Sequence, residues 1–132
     1  MALRDTLNPY APRVLSLVRI VSGLIFMAHG TGKHLNFPPL GMDMPATSPG
    51  AIAGWIELIA GALIALGLFT RPAAFIASGT MAAAYFMAHA PSSFFPVLNQ
   101  GDAAILYCFI FFYFVFAGPG PWSLDAKLGK DR

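Results

Sequence analysis

The chain has 132 residues, of which 57% are hydrophobic and 11% are charged, and its formal net charge is +2. Soluble domains carry about 25% charged residues, so this composition indicates a membrane protein, and the length allows one compact domain over residues 1–132. The basic residues are scattered along the chain, which argues against a nucleic-acid-binding function. The single cysteine, Cys108, excludes an internal disulfide and a CxxC redox pair.

Apolar runs recur along the chain and predict four transmembrane helices. A cleaved signal peptide is the alternative for the first run, but no convincing A-x-A site follows it and three more apolar runs do. Ser48 and Asp102 are the expected N-caps of the second and fourth helices, and the polar tail after Trp122 is expected to be mobile. The predicted helices cover about residues 14–30, 49–69, 72–89 and 102–117, with long loops at 31–48 and 90–101.

Glu57 is the one ionisable residue in the second apolar run. On a helix that advances about 100° per residue, it shares a face with Gly50, Gly54 and Gly61, where a neighbouring helix can approach closely. A carboxylate facing lipid is costly, so Glu57 is expected to face a protein interior or a wet cavity. Two roles are open: a proton-handling or ligand-binding group, or a buried acid that only holds helices together.

The charge distribution predicts that both termini lie in the cytoplasm. With that orientation the two long loops lie outside, together with one basic residue, Lys33. The cytoplasmic side then holds six basic residues, namely Arg4, Arg13, Arg71, Lys127, Lys130 and Arg132. The predicted fold is therefore an all-α, integral membrane four-helix bundle with N-in/C-in topology.

This topology gathers polar and titratable residues in the outer third of the bundle, to which four helices and two loops contribute. The candidate catalytic residues are Glu57 and His29. The candidate ligand-binding residues are Arg19, His29, Lys33, Glu57, His89, Asn99 and Asp102, with His34 and Gln100 nearby.

Arg19 lies nearer the cytoplasmic end of the first helix, and two interpretations compete for it. Its guanidinium can extend to the cytoplasmic headgroups, as arginines near helix ends commonly do. Alternatively it reaches towards Glu57 across an axial gap of roughly 10 Å and forms an interior ion pair, with a water between them.

Two histidines and a glutamate form a plausible first shell for a metal, but no short motif such as H-x-x-x-H fixes their geometry, so no metal site is predicted. A quinone headgroup is the preferred ligand, with a His or Asn donor to its carbonyls and an aromatic wall from the fourth helix. Plain packing or lipid contact is the alternative reading of those aromatic residues.

Spaced polar residues and glycines resemble those of the DoxX family of small bacterial inner-membrane proteins. The first helix carries Arg19-x-x-x-Gly23-x-x-Phe26-x-x-His29-Gly30-x-x-Lys33, the second Glu57-x-x-x-Gly61 and then Gly67-Leu-Phe-Thr-Arg71. The C-terminal part carries Asn99-Gln-Gly-Asp102-x-Ala-x-x-Tyr107 and Gly118-Pro-Gly-Pro-Trp-Ser123-x-Asp125. The resemblance implies that the following polar residues match polar positions of the family: Arg19, His29, Lys33, Glu57, Arg71, His89, Asn99 and Asp102.

The resemblance implies a four-helix membrane bundle and a link to redox chemistry, because the family takes its name from a quinone-coupled thiosulfate-oxidising complex. The chain lacks a partner cysteine and any recognisable haem, flavin or iron–sulfur motif, so no intrinsic cofactor is expected. The leading hypothesis is a membrane subunit of a respiratory or redox-linked system that binds a quinone-like ligand. The alternatives are a non-catalytic scaffold or assembly factor, and a small proton-coupled carrier with Arg19 and Glu57 as an alternating ion pair. The expected partners are the lipid bilayer, redox proteins and a second copy of the chain, with no nucleic acid.

Overall fold

The computed structural model describes residues 1–131, and every regular element in that range is helical, which confirms the all-α prediction there. A 3₁₀ turn, Asn8–Tyr10, joins the first two helices, and a π-helical segment, Tyr85–His89, continues the fourth. The helices are α1 (Leu3–Leu7), α2 (Ala11–His34), α3 (Pro49–Leu66), α4 (Thr70–Ala84), α5 (Pro96–Asn99), α6 (Asp102–Ala117) and α7 (Leu124–Lys127).

The four long helices pack as two antiparallel pairs. α2 packs along α3, α4 packs along α6, and α3 joins the pairs by packing against α4. α2 meets α6 at an aromatic cluster in which the Phe26 ring centroid lies 5.3 Å from Tyr107 and 4.8 Å from Phe111. We refer to the end with residues 35–48 and 90–101 as the loop end, and to the end with both chain termini as the terminal end.

Glycines allow the backbones of α2 and α3 to touch. A Cβ atom on Gly23 would lie 2.6 Å from the Ala65 nitrogen, and one on Gly61 would lie 2.7 Å from the Met27 nitrogen. A Cβ atom on Gly30 would collide with the α3 backbone in the same way. No real side chain tolerates such distances, so this confirms the close approach predicted for the glycine face around Glu57.

α2 extends one turn beyond its predicted end and includes Lys33 and His34, which were expected in a loop. This last turn is helical because its side chains pack over Gly54 of α3. A Cβ atom added to Gly54 would lie 2.7 Å from His34 Nε2 and 2.9 Å from Lys33 Cδ. His34 Nε2 also donates to the Ala51 carbonyl at 2.7 Å, and its ring stacks on Trp55 at 4.0 Å. The contact with α3 thus extends the helix.

Two of the predicted helix ends move for local reasons. α3 ends at Leu66 because Gly67 takes a left-handed φ of 69°, which glycine adopts without strain. The N-cap of α6 is Gly101, with Asp102 as the first helical residue, so the predicted Asp102 cap is wrong. The predicted cap of α3 is confirmed, because Ser48 Oγ accepts from Ala51 N at 3.2 Å.

The C-terminal segment packs against the terminal end, so the predicted mobility of the polar tail is wrong for residues 123–131, and Arg132 lies outside the described residues. Asp125 is buried and accepts hydrogen bonds from the backbone N–H groups of Phe69 and Thr70, each at 2.9 Å. Burial raises the pKa of Asp125, but the hydrogen bonds from Thr70 and Phe69 outweigh it and hold this pKa below its ordinary value. The carboxylate therefore caps α4, and its stabilising effect is lost only as the pH falls through that lowered pKa.

Arg19 also belongs to the terminal end, and both predicted roles for it are wrong. Its guanidinium is fully buried and donates to the carbonyls of Ile64 at 2.9 Å, Trp122 at 2.6 Å and Pro119. The Pro119 and Trp122 carbonyls lie in the loop that follows α6. The Ile64 carbonyl lies in the last turn of α3 and also accepts from Gly67 N at 3.1 Å, so the buried arginine ties the end of α3 to this loop. It reaches neither the headgroups nor Glu57.

Arg71 plays a similar part at the end of α6. It donates to the carbonyls of Val115 and Phe116 at 2.8 Å each and pairs with Asp131 at 2.9 Å. The final turn of α6 leaves these carbonyls without intrahelical donors, so the arginine closes that helix end.

By length and composition, two helical stretches are able to cross a bilayer, Leu3–His34 and α3. α6 is apolar but shorter, and α4 continues without a break through the π-helical segment to His89.

Gly30→Ala tests the backbone contact, and Gly79→Ala is its matched control. We expect Gly30→Ala to lower the free energy of unfolding by about 1–3 kcal/mol, because the new methyl group forces α2 away from α3. Gly79 lies on α4 with open space around it, so its replacement should be neutral or stabilise by up to about 1 kcal/mol. Thermal unfolding in detergent measures both, and equal melting temperatures for the two variants would contradict the packing described.

Candidate functional site

A cavity of about 720 Å³ separates the two helix pairs at the loop end. This volume is typical of small-molecule sites, which range over about 300–1,000 Å³. Most of its wall is apolar and comes from α3, α4, the π-helical segment and α6. The polar residues in the wall are His29, Lys33, Glu57, Thr80, His89, Gln100 and Tyr107.

Glu57 and Lys33 form an ion pair in the cavity wall. Lys33 Nζ lies 2.9 Å from Glu57 Oε1, and the two side chains are 15% and 5% exposed, respectively. The second carboxylate oxygen, Oε2, is buried and has no hydrogen-bond partner within residues 1–131. A buried acceptor left without a donor costs about 1–3 kcal/mol or more, so Oε2 is a place where a donor from outside the chain would be stabilised.

His29 and His89 both line the cavity, and each bonds a backbone carbonyl through the same ring nitrogen. Nδ1 of His29 lies 3.0 Å from the Ile25 carbonyl, and Nδ1 of His89 lies 2.9 Å from the Asn99 carbonyl. A carbonyl only accepts, so Nδ1 carries the proton in both rings and Nε2 is the nitrogen available to a ligand.

The π-helical segment shapes the wall next to His89. Its wide turn is closed by the bond from Ala90 N to the Tyr85 carbonyl at 2.9 Å. Asn99 is buried and braces this segment, because its Nδ2 donates to Tyr85 Oη at 3.1 Å and to the Ser93 carbonyl at 2.8 Å. Such π-helical turns occur often at functional sites.

Four of the predicted site residues therefore lie together in the cavity wall: His29, Lys33, Glu57 and His89. Three do not. Arg19 lies at the terminal end, Asn99 supports His89 from behind, and Asp102 is exposed at the start of α6. Throughout the described range, no group of three or more His, Cys, Asp or Glu side chains is placed to hold a metal ion.

The comparisons with known proteins agree with this architecture. The family model described as DoxX matches residues 14–90. The chain belongs to the DoxX family. An uncharacterized protein of Haemophilus influenzae is 44% identical over 133 aligned positions, covering 96% of this chain and 98% of that protein. An uncharacterized membrane protein of Mycobacterium tuberculosis is 30% identical over 157 positions, covering 98% and 95%, respectively. No solved structure shows a significant match.

Membership of the DoxX family, together with the membrane-protein relative, identifies this chain as a membrane protein in contact with lipid. In this setting buried ionisable groups are rare and are commonly functional. The Lys33–Glu57 pair, with side chains only 15% and 5% exposed, is then the part of the DoxX chain that most needs a functional account.

The sequence predicts an aromatic wall from the fourth helix but does not indicate which of its rings lines the cavity. The ring of Tyr107 lies 6.0 Å from His29 and 5.3 Å from Phe26. Among the aromatic residues of α6, it is the one that lines the cavity, while Phe109 and Phe116 face outwards. Four methionines also line it, and nothing in their spacing marks them: Met42, Met44, Met81 and Met87.

A double-mutant cycle on Lys33→Met and Glu57→Gln tests the ion pair. Each single change should cost about 3 kcal/mol in the free energy of unfolding, because it leaves the partner charge buried and unpaired. The double variant should cost clearly less than the sum, with a coupling energy of at least about 1 kcal/mol. The control is the exposed Arg4–Asp5 pair, for which we expect little or no coupling in the same unfolding assay. A zero coupling for Lys33 and Glu57 would show that they do not interact.

Proposed function

We propose that this DoxX protein is a multi-pass inner-membrane subunit that binds a quinone-like amphiphile in the loop-end cavity. The observation that carries this proposal is the buried Oε2 atom of Glu57, a residue in the wall of a mostly apolar cavity, which has no hydrogen-bond partner within residues 1–131. The proposal further holds that the ligand links the protein to a respiratory or redox-linked system with protein partners.

The proposed topology has four spans, with both termini in the cytoplasm. α2 and α3 are long enough to cross a bilayer, and the continuous helix from Thr70 to His89 reaches about 30 Å at 1.5 Å per residue. α6 is shorter, and it packs along α4 through the bond from Ser78 Oγ to the Cys108 carbonyl at 2.7 Å. The basic residues of the terminal end favour the cytoplasmic side for that end.

An amphiphile suits the cavity because polar and apolar surfaces are separated within it. Lys33, Glu57 and His29 form its polar part, whereas residues such as Ile56 and Ala84 form its apolar part. A ring with oxygen substituents matches the first, and a hydrocarbon tail matches the second.

The ligand would enter from the lipid. Ile52 and Met87 line the cavity, and they are also 53% and 62% exposed, so the gap between α3 and the π-helical segment opens sideways. A hydrophobic tail that remained in this gap would lie in the outer part of the bilayer under the proposed topology.

Proton transfer is the chemistry that the chain's own residues can supply. Glu57 and His29 are the groups placed to exchange protons with a bound quinone, and the ligand would carry the electrons. Cys108 is partly buried, and its Sγ atom lies 3.5 Å from Ser78 Oγ, so it forms no redox pair. Electron transfer would therefore need a partner protein.

A scaffold or assembly factor is the second candidate, and the loop end supplies the observation that favours it. Phe94, Val97 and Phe37 are 82%, 80% and 77% exposed there. Apolar side chains in such positions contact either lipid headgroups or a partner. The carrier hypothesis lacks support, because the alternating Arg19–Glu57 pair on which it rests does not form.

Fusion reporters test the topology. We expect a fluorescent protein fused after the C-terminus to fluoresce and alkaline phosphatase at the same site to be inactive, because the former folds in the cytoplasm and the latter outside it. The control places both reporters after α2, within residues 35–48, where the pattern should reverse. An active phosphatase at the C-terminus would contradict the proposed orientation.

Native mass spectrometry with lipid and quinone identification tests the ligand. We expect wild-type protein to retain a quinone-class amphiphile, and Glu57→Gln to weaken its binding by about 10–100-fold through loss of the charge-assisted hydrogen bond that Oε2 would accept from a hydroxyl group of the ligand. Ala53→Leu, which narrows the cavity, should reduce occupancy without changing a charge. Asp102→Asn is the matched control, because this acid is exposed at the same end and does not line the cavity. Bulk lipid alone in every sample would favour the scaffold.

A further inference from the structure

The turn between the π-helical segment and α6 exposes its apolar side chains. Phe94, Phe95, Val97 and Leu98 flank Pro96, and these four are between 60% and 82% exposed. We call residues 94–98 the apolar turn. No charged residue occurs between residues 90 and 101, whereas soluble domains carry about 25% charged residues. The composition of this surface is therefore unsuited to water.

The backbone of the apolar turn is largely bonded within the chain. Three successive carbonyls accept hydrogen bonds: that of Ser93 from Asn99 Nδ2 at 2.8 Å, that of Phe94 from Tyr85 Oη at 3.0 Å, and that of Phe95 from Asn99 N at 3.1 Å. Pro96 has no N–H group that needs an acceptor. Unpaired backbone groups are what excludes loops from hydrocarbon, so these bonds allow the apolar side chains to enter the edge of a bilayer.

Contacts with the α4 column place the apolar turn at the end of a membrane span. The continuous helix from Thr70 to His89 is about as long as the hydrocarbon core is thick, and His89 Nδ1 bonds the Asn99 carbonyl at 2.9 Å. The residues just before Asn99 are therefore level with the end of that helix. α6 has 16 residues and covers only about 24 Å, so the apolar turn occupies the level that α6 leaves empty.

The lipid-facing surface of the bundle continues into the apolar turn. The chain is a membrane protein in contact with lipid, and Phe86 and Met87 of the π-helical segment are exposed. The ring of Phe86 lies 5.4 Å from that of Tyr85, whose hydroxyl bonds Phe94. Asp102 is the nearest charged residue along the chain and is exposed, so the turn fits the headgroup boundary, where a carboxylate still reaches water, and not the bilayer centre.

We propose that the apolar turn inserts among the phospholipid acyl chains at the edge of the leaflet that surrounds the loop end. The connection between α4 and α6 is then a membrane anchor, not an aqueous loop. Met87 and Gln100, on either side of the turn, line the cavity, so the anchor keeps the sideways opening of the cavity within lipid. This inference rests on the four-span part of the proposed function and needs no ligand.

Nitroxide labels on single cysteines test where the apolar turn lies. Phe94→Cys and Val97→Cys are made separately in a Cys108→Ala background, and the full chain is reconstituted in phosphatidylcholine–phosphatidylglycerol liposomes. Phe109→Cys, exposed in the middle of α6, is the lipid reference, and Lys127→Cys, exposed in α7, is the water reference. Collisions of the label with oxygen, which concentrates in hydrocarbon, are compared with collisions with a neutral nickel chelate, which stays in water.

We expect the oxygen-to-nickel collision ratio at residues 94 and 97 to be several-fold higher than at residue 127. It should remain below the ratio at residue 109, because the turn lies at the edge of the hydrocarbon. Both replaced side chains are exposed, so neither change disturbs the packing of the bundle, and each position checks the other.

The references separate failure of this inference from failure of the proposed topology. If residue 109 is in lipid but residues 94 and 97 match the water reference, the four spans stand and the anchor is overturned. Labels at 94 and 97 that are shielded from both reagents would also overturn it, and would indicate a protein partner or a second copy on this surface. If the label at residue 109 is itself in water, the four-span topology fails, and this inference fails with it.

Discussion

Backbone contact between α2 and α3 determines where the polar residues of this protein lie. Gly23, Gly30 and Gly61 remove the side chains that would separate the two helices, so the spacing between them is set by main-chain atoms. At that spacing Lys33 reaches Glu57, and Gly54 leaves room for the lysine stem. In membranes, small residues let two helices pack closely. Such packing matters there because burial of apolar surface gives little driving force for helix association. The cavity arises where this close packing is not repeated, between the α2–α3 pair and the α4–α6 pair.

Charged residues have different partners at the two ends of the molecule. At the terminal end, charged side chains bind backbone groups: Arg19 and Arg71 donate to carbonyls near the ends of α3 and α6, and Asp125 accepts from N–H groups at the start of α4. Such groups are costly to leave open, so these residues are accounted for by the fold itself. At the loop end, Oε2 of Glu57 is buried, and the described chain offers it no partner. Hydrogen-bond partners therefore separate Arg19, Arg71 and Asp125, which serve the fold, from Glu57, whose second oxygen is left for the proposed ligand.

The sequence predicts the helices, the Ser48 cap and the placement of Glu57 on an interior glycine face, because periodicity and local chemistry decide these features. It does not predict the partner of Glu57. Periodicity gives the face of a helix but not the axial offset between two helices, and the additional turn of α2 places Lys33, not Arg19, at the level of the acid. The sequence also does not predict the packing of the C-terminal segment, because nothing about one aspartate in a polar tail indicates that it caps a distant helix. The cavity depends on all four long helices at once, so only parts of its wall could be anticipated.

The arrangement around Glu57 is the basis for proposing an occupant from outside the chain. Oε1 is paired with Lys33 at a separation of 2.9 Å. Oε2 of the same carboxylate is buried and receives no hydrogen bond from residues 1–131. The glycine-packed helix pair keeps α2 from moving closer to α3, since any closer approach meets the backbone of α3. Under the proposed function, the polar end of a ligand supplies the missing donor, and its apolar part fills the apolar volume of the cavity.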